Sequence, residues 1–382
     1  MKVLFIRSNP VNPDSRVEKE ANSLIRAGYD VTVLGWDRDA DYDICESTLL
    51  LPDGTAKCYR VGIKASYGSG LRNLKNLARY QFEILRFLQK HKKEFDVIHA
   101  CDFDTAFTAL HFINRKQTKF VYDIFDYYAD AMQIPSILKP LIVALDSHII
   151  AKADATIICT EQRREQIRHT HPRLLEVIHN SPPTVEYENE SILSSPVMKI
   201  AYFGILCPEG RLIRELMEIV AQNTQYELHI GGFGQLADEV NNYSQRYKNI
   251  IYYGRTPYQD VLRIESQCDI LTAIYDPAVP NHYYAAPNKF YEALMLGKPV
   301  VMARNTGMSN VITENDVGEL IEYGFEGLVN GLTSLWNKQT EWVTMGKRMK
   351  QLYKESYSWN QMEARLVTLY NGVISCSERS TR

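Results

Sequence analysis

Short apolar runs alternate with longer amphipathic stretches along most of the chain. VLFIRS (3–8), VTVLGW (31–36), DVIHACD (96–102), KFVYDIFD (119–126) and ATIICT (155–160) have strand length, and 15–27, 70–92, 104–115, 139–152 and 161–169 between them read as helices. Strands that are apolar at nearly every position suit a parallel sheet covered by helices on both faces. The rhythm stops at SPPTVEYENESILSSPV (181–197), which has Pro, Ser and Glu but no period, as a domain boundary would. It restarts with KIAYFGI (199–205), a helix near 210–222, ELHIGGFG (227–234), NIIYYGR (249–255), DILTAIYD (269–276) and PVVMAR (299–304). The expected fold class is therefore α/β, with two Rossmann-like domains facing a cleft: 1–180, then 198–356, with a terminal segment at 357–382. Ligands of such sheets bind outside the carboxyl ends of the strands, so the cleft is the expected site.

Composition narrows the function classes. At 382 residues the chain is comfortable for two domains. Its 43 Lys and Arg nearly balance 46 Asp and Glu, which argues against a nucleic-acid binder. The seven Cys form no C-x-x-C pair and no cluster with His, so they read as reduced thiols of a cytoplasmic protein rather than disulfides or metal ligands. MKVLFIRS is too short to be a signal peptide and no small-residue cleavage site follows it; no run of about 18 apolar residues suggests a membrane span.

The stretch PNKFYEALMLG (287–297) carries the most chemistry. Pro287 is placed to open a helix and Gly297 to stop it, before a buried strand at 299–303. The free N–H groups of that helix start, its dipole and Lys289 suit a phosphate, while Glu292 can accept hydrogen bonds from a ribose. The competing reading makes Lys289 and Glu292 ordinary polar residues of an amphipathic helix. Gly232, Gly234 and Ala237 spell G-x-G-x-x-A between a strand and a helix, yet the next strand ends in Gly254 and Arg255, without the acidic residue a nicotinamide cofactor requires. His99, Asp102, Asp104, Asp123, Asp126 and Asp130 fall at or near strand ends, where carboxylates orient a hydroxyl, act as bases or simply cap helices.

Pro287, Asn288, Lys289, Glu292, Gly297, Pro299, Val300 and Val301 fill the pattern P-[NS]-K-x-x-E-x-x-x-x-G-x-P-V-V one by one. The stretch thus resembles the donor-site helix of GT-B glycosyltransferases, specifically the large retaining family 4. The resemblance implies transfer of a hexose-type sugar from a nucleotide diphosphate donor to a hydroxyl acceptor, a lipid-linked or surface glycan, without cofactor or metal. It also implies that the W-centred segment at 357–373 returns as a helix to the N-terminal domain. For the donor diphosphate it implies Gly204, Arg211, Lys289 and the helix start at Pro287 and Asn288, with Glu292 on the ribose. Three positions depart from the family: Tyr284 stands for the first Glu of its E-x7-E motif, Ile205 for a diphosphate-binding cation, and Phe125 for a His beside the sugar, next to which Asp126 matches the adjacent acid. Lys289 and Arg255 are candidates to replace the missing cation. Asp14, Arg16 and Asp102 are acceptor-side candidates, Asp14 or Ser15 also capping the first helix. Asp102-Phe103-Asp104 spells D-x-D, a common tripeptide, and is not read as a metal site.

Between 64 and 93 Glu83 is the only acid, and Arg72, Lys75, Arg79, Arg86, Lys90 and Lys93 run beside a stripe of Leu71, Leu74, Ala78, Phe82, Leu85 and Leu88. Such a helix suits an anionic membrane surface, on the inner face of the membrane, or a solvated face of a helix packed on the sheet. Rival functions on the same scaffold are an inverting transferase with Asp126 as base, a nucleotide-sugar epimerase, and a non-catalytic scaffold.

Overall fold

A computed structural model describes residues 1–65, 73–132, 134–187 and 196–378. Two compact units account for the chain: Met1–Asn180 together with the residues from Met362 onward, and Ser181–Gln361. Much of the 181–197 segment (188–195), together with Leu71, Arg72 and the last residues of 357–382, lies outside the described residues.

The first unit is built on β1 (Lys2–Arg7), β2 (Asp30–Asp37), β3 (Tyr42–Leu51), β4 (Gly54–Gly62), β5 (Val97–Cys101), β6 (Lys119–Ile124), β7 (Ala155–Ile158) and β8 (Leu175–Val177). They form one eight-stranded sheet in the order β3-β4-β2-β1-β5-β6-β7-β8. Every pairing is parallel except β3 with β4. The apolar runs are strands because both faces are covered: Val3, Leu4, Phe5 and Ile6 are all at 0% exposure, and each such side chain withdrawn from water is worth about 1.5–3 kcal/mol. The β3–β4 hairpin was not expected from the apolar pattern, because β3 is mostly exposed; its signal is instead Pro52-Asp53-Gly54 at the tight turn.

Helix Leu74–Lys90 packs on this sheet by Tyr80, Ile84, Phe87 and Leu88, with Tyr80 stacked on Trp36 at 4.8 Å. Leu74, Ala78 and Phe82 of the sequence stripe therefore point outward, beside exposed Lys75, Arg79, Arg86 and Lys90.

Helix Trp359–Glu378 starts in the second unit and completes the first. Met362, Leu366 and Tyr370 are fully buried, the Met362 Sδ accepts the His179 backbone N–H, and Arg365 donates to the Val177 carbonyl.

The second unit has β9 (Met198–Ile205), β10 (Tyr226–Phe233), β11 (Ile250–Tyr252), β12 (Ile270–Thr272), β13 (Val300–Ala303) and β14 (Gly318–Ile321). Its sheet is parallel throughout, in the order β11-β10-β9-β12-β13-β14. In each sheet the strand order reverses beside the unit's first strand, at β1/β5 and at β9/β12. These switch points are where an open α/β sheet leaves a crevice at its carboxyl edge.

Candidate active site

At the switch point of the second unit β9 ends in Gly204 with φ +155°. A Cβ there would lie 2.6 Å from Lys289 Nζ, so the glycine makes room for the ammonium. Its β10 partner Gly232, φ +136°, would bring a Cβ to 1.7 Å from the Gly204 carbonyl oxygen. The G-x-G of 232–234 thus serves close backbone approach of strand ends rather than a dinucleotide fingerprint.

Helix Asn288–Leu296 is N-capped by Pro287 and ends at Gly297, which is left-handed with φ +69°. Lys289 in its first turn sits 4.9 Å from the Tyr202 ring centroid, and Tyr202 donates to the Ile205 carbonyl at 2.8 Å. Burial pushes the Lys289 ammonium below its ordinary pKa, Glu292 opposing and Arg211 adding to the shift. Glu292, one turn on and buried, accepts from the Tyr258 hydroxyl at 2.9 Å. Arg211 stacks its guanidinium 3.8 Å from the Tyr275 ring centroid, and Tyr275 stacks on His282. Gly210 accepts from the Asp276 N–H, so the loop carrying Arg211 is tied to the segment after β12.

Gly204, Arg211, Lys289 and Glu292 therefore gather at one sheet edge. Arg255 is exposed and lies 5.1 Å over Phe233, whose register partner is Ile205; a cation thus stands beside the position where the family's is missing. Asn288 is exposed, and half-buried Tyr284 ends helix Pro280–Tyr284 with its ring against Tyr283.

In the first unit Arg7, at the end of β1, bridges Asp14 and Asp102. Asp14 also caps helix Ser15–Arg26 through the Val17 N–H and accepts from Asn9. Asp102, held at φ +66°, accepts the N–H groups of Phe125 and Asp126 as well, which fixes the turn after β6. Burial pushes its carboxyl up to about 6 despite Arg7. Asp126 is half exposed and paired with buried Arg163 at 3.2 Å.

Arg16 lies inside the unit rather than on an acceptor-facing surface. Its guanidinium meets Asp123 at 2.8 Å, Glu20 at 3.1 Å and the Ile178 carbonyl at 2.7 Å, at 3% residue exposure. His99 joins the cluster, 3.4 Å from Asp123 and 2.8 Å from the Tyr370 hydroxyl. Burial holds His99 below the usual imidazole range and pushes Glu20 well up, whereas Arg16 and His99 keep Asp123 low. Phe125 is flanked by both guanidinium groups, Arg7 at 4.3 Å and Arg16 at 4.6 Å from its ring centroid. Among the described residues Glu20, His99 and Asp123 alone bring three potential metal ligands within 4.8 Å, and Arg16 already supplies the positive charge there.

Sequence reasoning missed Arg7, Tyr258 and Tyr370, whose partners lie 95, 34 and 271 residues away. Only the helix that begins at Asn288 announces itself locally.

The chain matches the family described as Glycosyl transferase 4-like domain over residues 13–181 and that described as Glycosyl transferases group 1 over residues 200–338. No curated protein matches it significantly. Among solved structures it is similar to sucrose-phosphate synthase of Thermosynechococcus elongatus, with 15% identity, TM-score 0.72, and 98% of this chain and 100% of that one covered. Anabaena HepE in complex with UDP-glucose aligns at 14% identity and TM-score 0.69 over 97% of this chain and 99% of that one. A Staphylococcus aureus TarM mutant in complex with fondaparinux, alpha-GlcNAc-glycerol and UDP aligns at 13% identity and TM-score 0.63 over 97% of this chain and 100% of that one. With both halves matched in order on two parallel α/β sheets, the chain belongs to the GT-B glycosyltransferases of group 1.

Proposed function

We propose that this glycosyltransferase moves a hexose-type sugar from a nucleotide diphosphate donor to a hydroxyl of a glycan or lipid-linked acceptor, with retention of anomeric configuration. The observation that carries the donor assignment is Lys289 Nζ set against Gly204 at the β9/β12 switch point. A diphosphate placed there meets Lys289, Arg211 and the N-terminus of helix Asn288–Leu296, and the charge that grows on it as the glycosidic bond breaks is stabilised by the same groups. Arg255 supplies the cation that Ile205 does not. Glu292 takes the ribose hydroxyls. The UDP and UDP-glucose complexes of HepE and TarM are in keeping with this donor class. Titration calorimetry with UDP and GDP tests it: loss of binding in Lys289→Ala and Glu292→Ala variants is expected, and unchanged affinity in both overturns the assignment.

A specific observation favours the inverting alternative. Asp126 is half exposed, so its carboxylate can take a proton from an acceptor, while Phe125 offers no hydrogen bond to a sugar. The anomer of the product separates the two readings. Turnover needs no divalent metal in either, because the cations named above do that work; activity surviving exhaustive chelation is the expected result.

The protein works at an anionic membrane surface in this proposal. Lys75, Arg79, Arg86 and Lys90 share the outer side of helix Leu74–Lys90 with Leu74 and Phe82, which are 60% and 62% exposed. Each basic group near such a surface is worth about 1 kcal/mol. No helix among the described residues is long and apolar enough to cross a membrane. Pelleting with anionic liposomes that fades with salt is the expected result.

A further inference from the structure

Beneath Lys289 and Glu292 lies a second carboxyl. Glu265, in helix Tyr258–Ser266, is at 0% exposure, and neither of its oxygens has a hydrogen-bond partner. It sits two helical turns from Tyr258 on the same face, and Tyr258 is the residue that donates to Glu292. Its surroundings are apolar: Leu262 and Ile264 pack with Ala201, Phe203, Phe290 and Leu294. The ionisable groups that face it are Glu292 and Lys289 from helix Asn288–Leu296, Tyr258 and Cys268 on its own segment, and Tyr187 from the start of the unit. Tyr353, packed against the same helix, faces Tyr258. Lys289 is the cation in this set that acts on Glu265, and it also serves Glu292.

One ammonium cannot neutralise two buried carboxylates, and an ionised carboxylate without hydrogen bonds in an apolar pocket is costly enough that such a group keeps its proton instead. We propose that Glu265 is a positioning residue of the donor site: a neutral carboxylic acid that holds the Glu265–Glu292 pair to a single negative charge, so that a dianionic diphosphate can approach Lys289. Burial, and next Glu292, push the Glu265 carboxyl well above the ordinary glutamate range, in agreement. The acid's proton comes from solvent and returns to it at alkaline pH, where the pair carries two charges and repels the ligand.

This inference rests on the donor-site reading, and two measurements keep their failures apart. Carbon-13 NMR of the side-chain carboxyls, with Glu265→Gln identifying the resonance, reports the protonation state in the ligand-free protein. A protonated Glu265 at neutral pH is expected, and an ionised one overturns the proposal whether or not a nucleotide binds. UDP titration on either side of the pH at which that resonance shows Glu265 losing its proton reports the consequence. The wild type is expected to lose more affinity than Glu265→Gln across that step, since Lys289 is common to both and only the wild type gains a negative charge there. Parallel losses in the two proteins overturn the proposal. Should Glu265→Gln not fold, Glu265→Met supplies the missing resonance and the uncharged reference. Absence of UDP binding by the wild type refutes the donor assignment alone.

Discussion

The two units each bury ionisable side chains, to opposite effect. Around Arg16 the charges answer one another: the guanidinium touches Asp123, Glu20 and a carbonyl, and His99 is held between Asp123 and Tyr370. Around Lys289 they do not, because neither oxygen of Glu265 has a hydrogen bond or an ion pair. A closed set of charges fixes a scaffold. An open set is stable only where something else completes it, which is why the second is the better candidate for binding.

The sharpest way to break this contrast is to remove one cation from each cluster. Arg16→Met leaves Asp123 and Glu20 without their guanidinium, and breaking a buried pair in this way costs about 3–5 kcal/mol. Urea denaturation should show that loss, with nucleotide affinity of the folded fraction unchanged. Lys289→Ala should do the reverse, lowering UDP affinity by about tenfold or more, as a lost charge-assisted hydrogen bond of about 1.5–3 kcal/mol implies, with the urea midpoint nearly unmoved. Gly204→Ala tests the close seating of the Lys289 ammonium against the strand end. Its Cβ would stand 2.6 Å from Nζ on a strained backbone, so UDP binding should weaken with Lys289 still present, as calorimetry would register.

His179, buried and near Arg365 and Arg16, is pushed down to about 3, and His99 is also held low. Both stay neutral when folded while the unfolded chain binds protons below about pH 6.5, so their stability contribution is full above that pH and is lost as pH falls toward the folded values. Between about pH 6.5 and 5 the denaturation midpoint should drop, less so in His179→Gln. The smallest effect belongs to Tyr370→Phe, which removes one hydrogen bond to His99 and should cost about 1 kcal/mol in the same assay.

Legibility in the sequence divides along the same line. Central strands such as Val3–Ile6 were readable because burial on both faces leaves a continuous apolar run, whereas β3 on the sheet edge was not. The helix Asn288–Leu296 was readable because Pro287, Lys289, Glu292 and Gly297 lie within a few turns of each other. Arg16 looked like an exposed first-turn residue, since Asp123 lies 107 positions away in sequence. Glu265 carries no local signal in the sequence, and its lack of partners in three dimensions is what sets it apart.

The terminal helix has a consequence for biosynthesis. Its Tyr370 reaches His99 and its Glu363 reaches Ser23 and Arg26, yet the entire second unit is translated between these partners. At about 5–20 residues per second the nascent first unit waits roughly 10–40 s for the helix that closes it. During that interval the surface destined for Met362, Leu366 and Tyr370 is open to water, so a chaperone that shields apolar surface on the ribosome has its clearest target in this protein there.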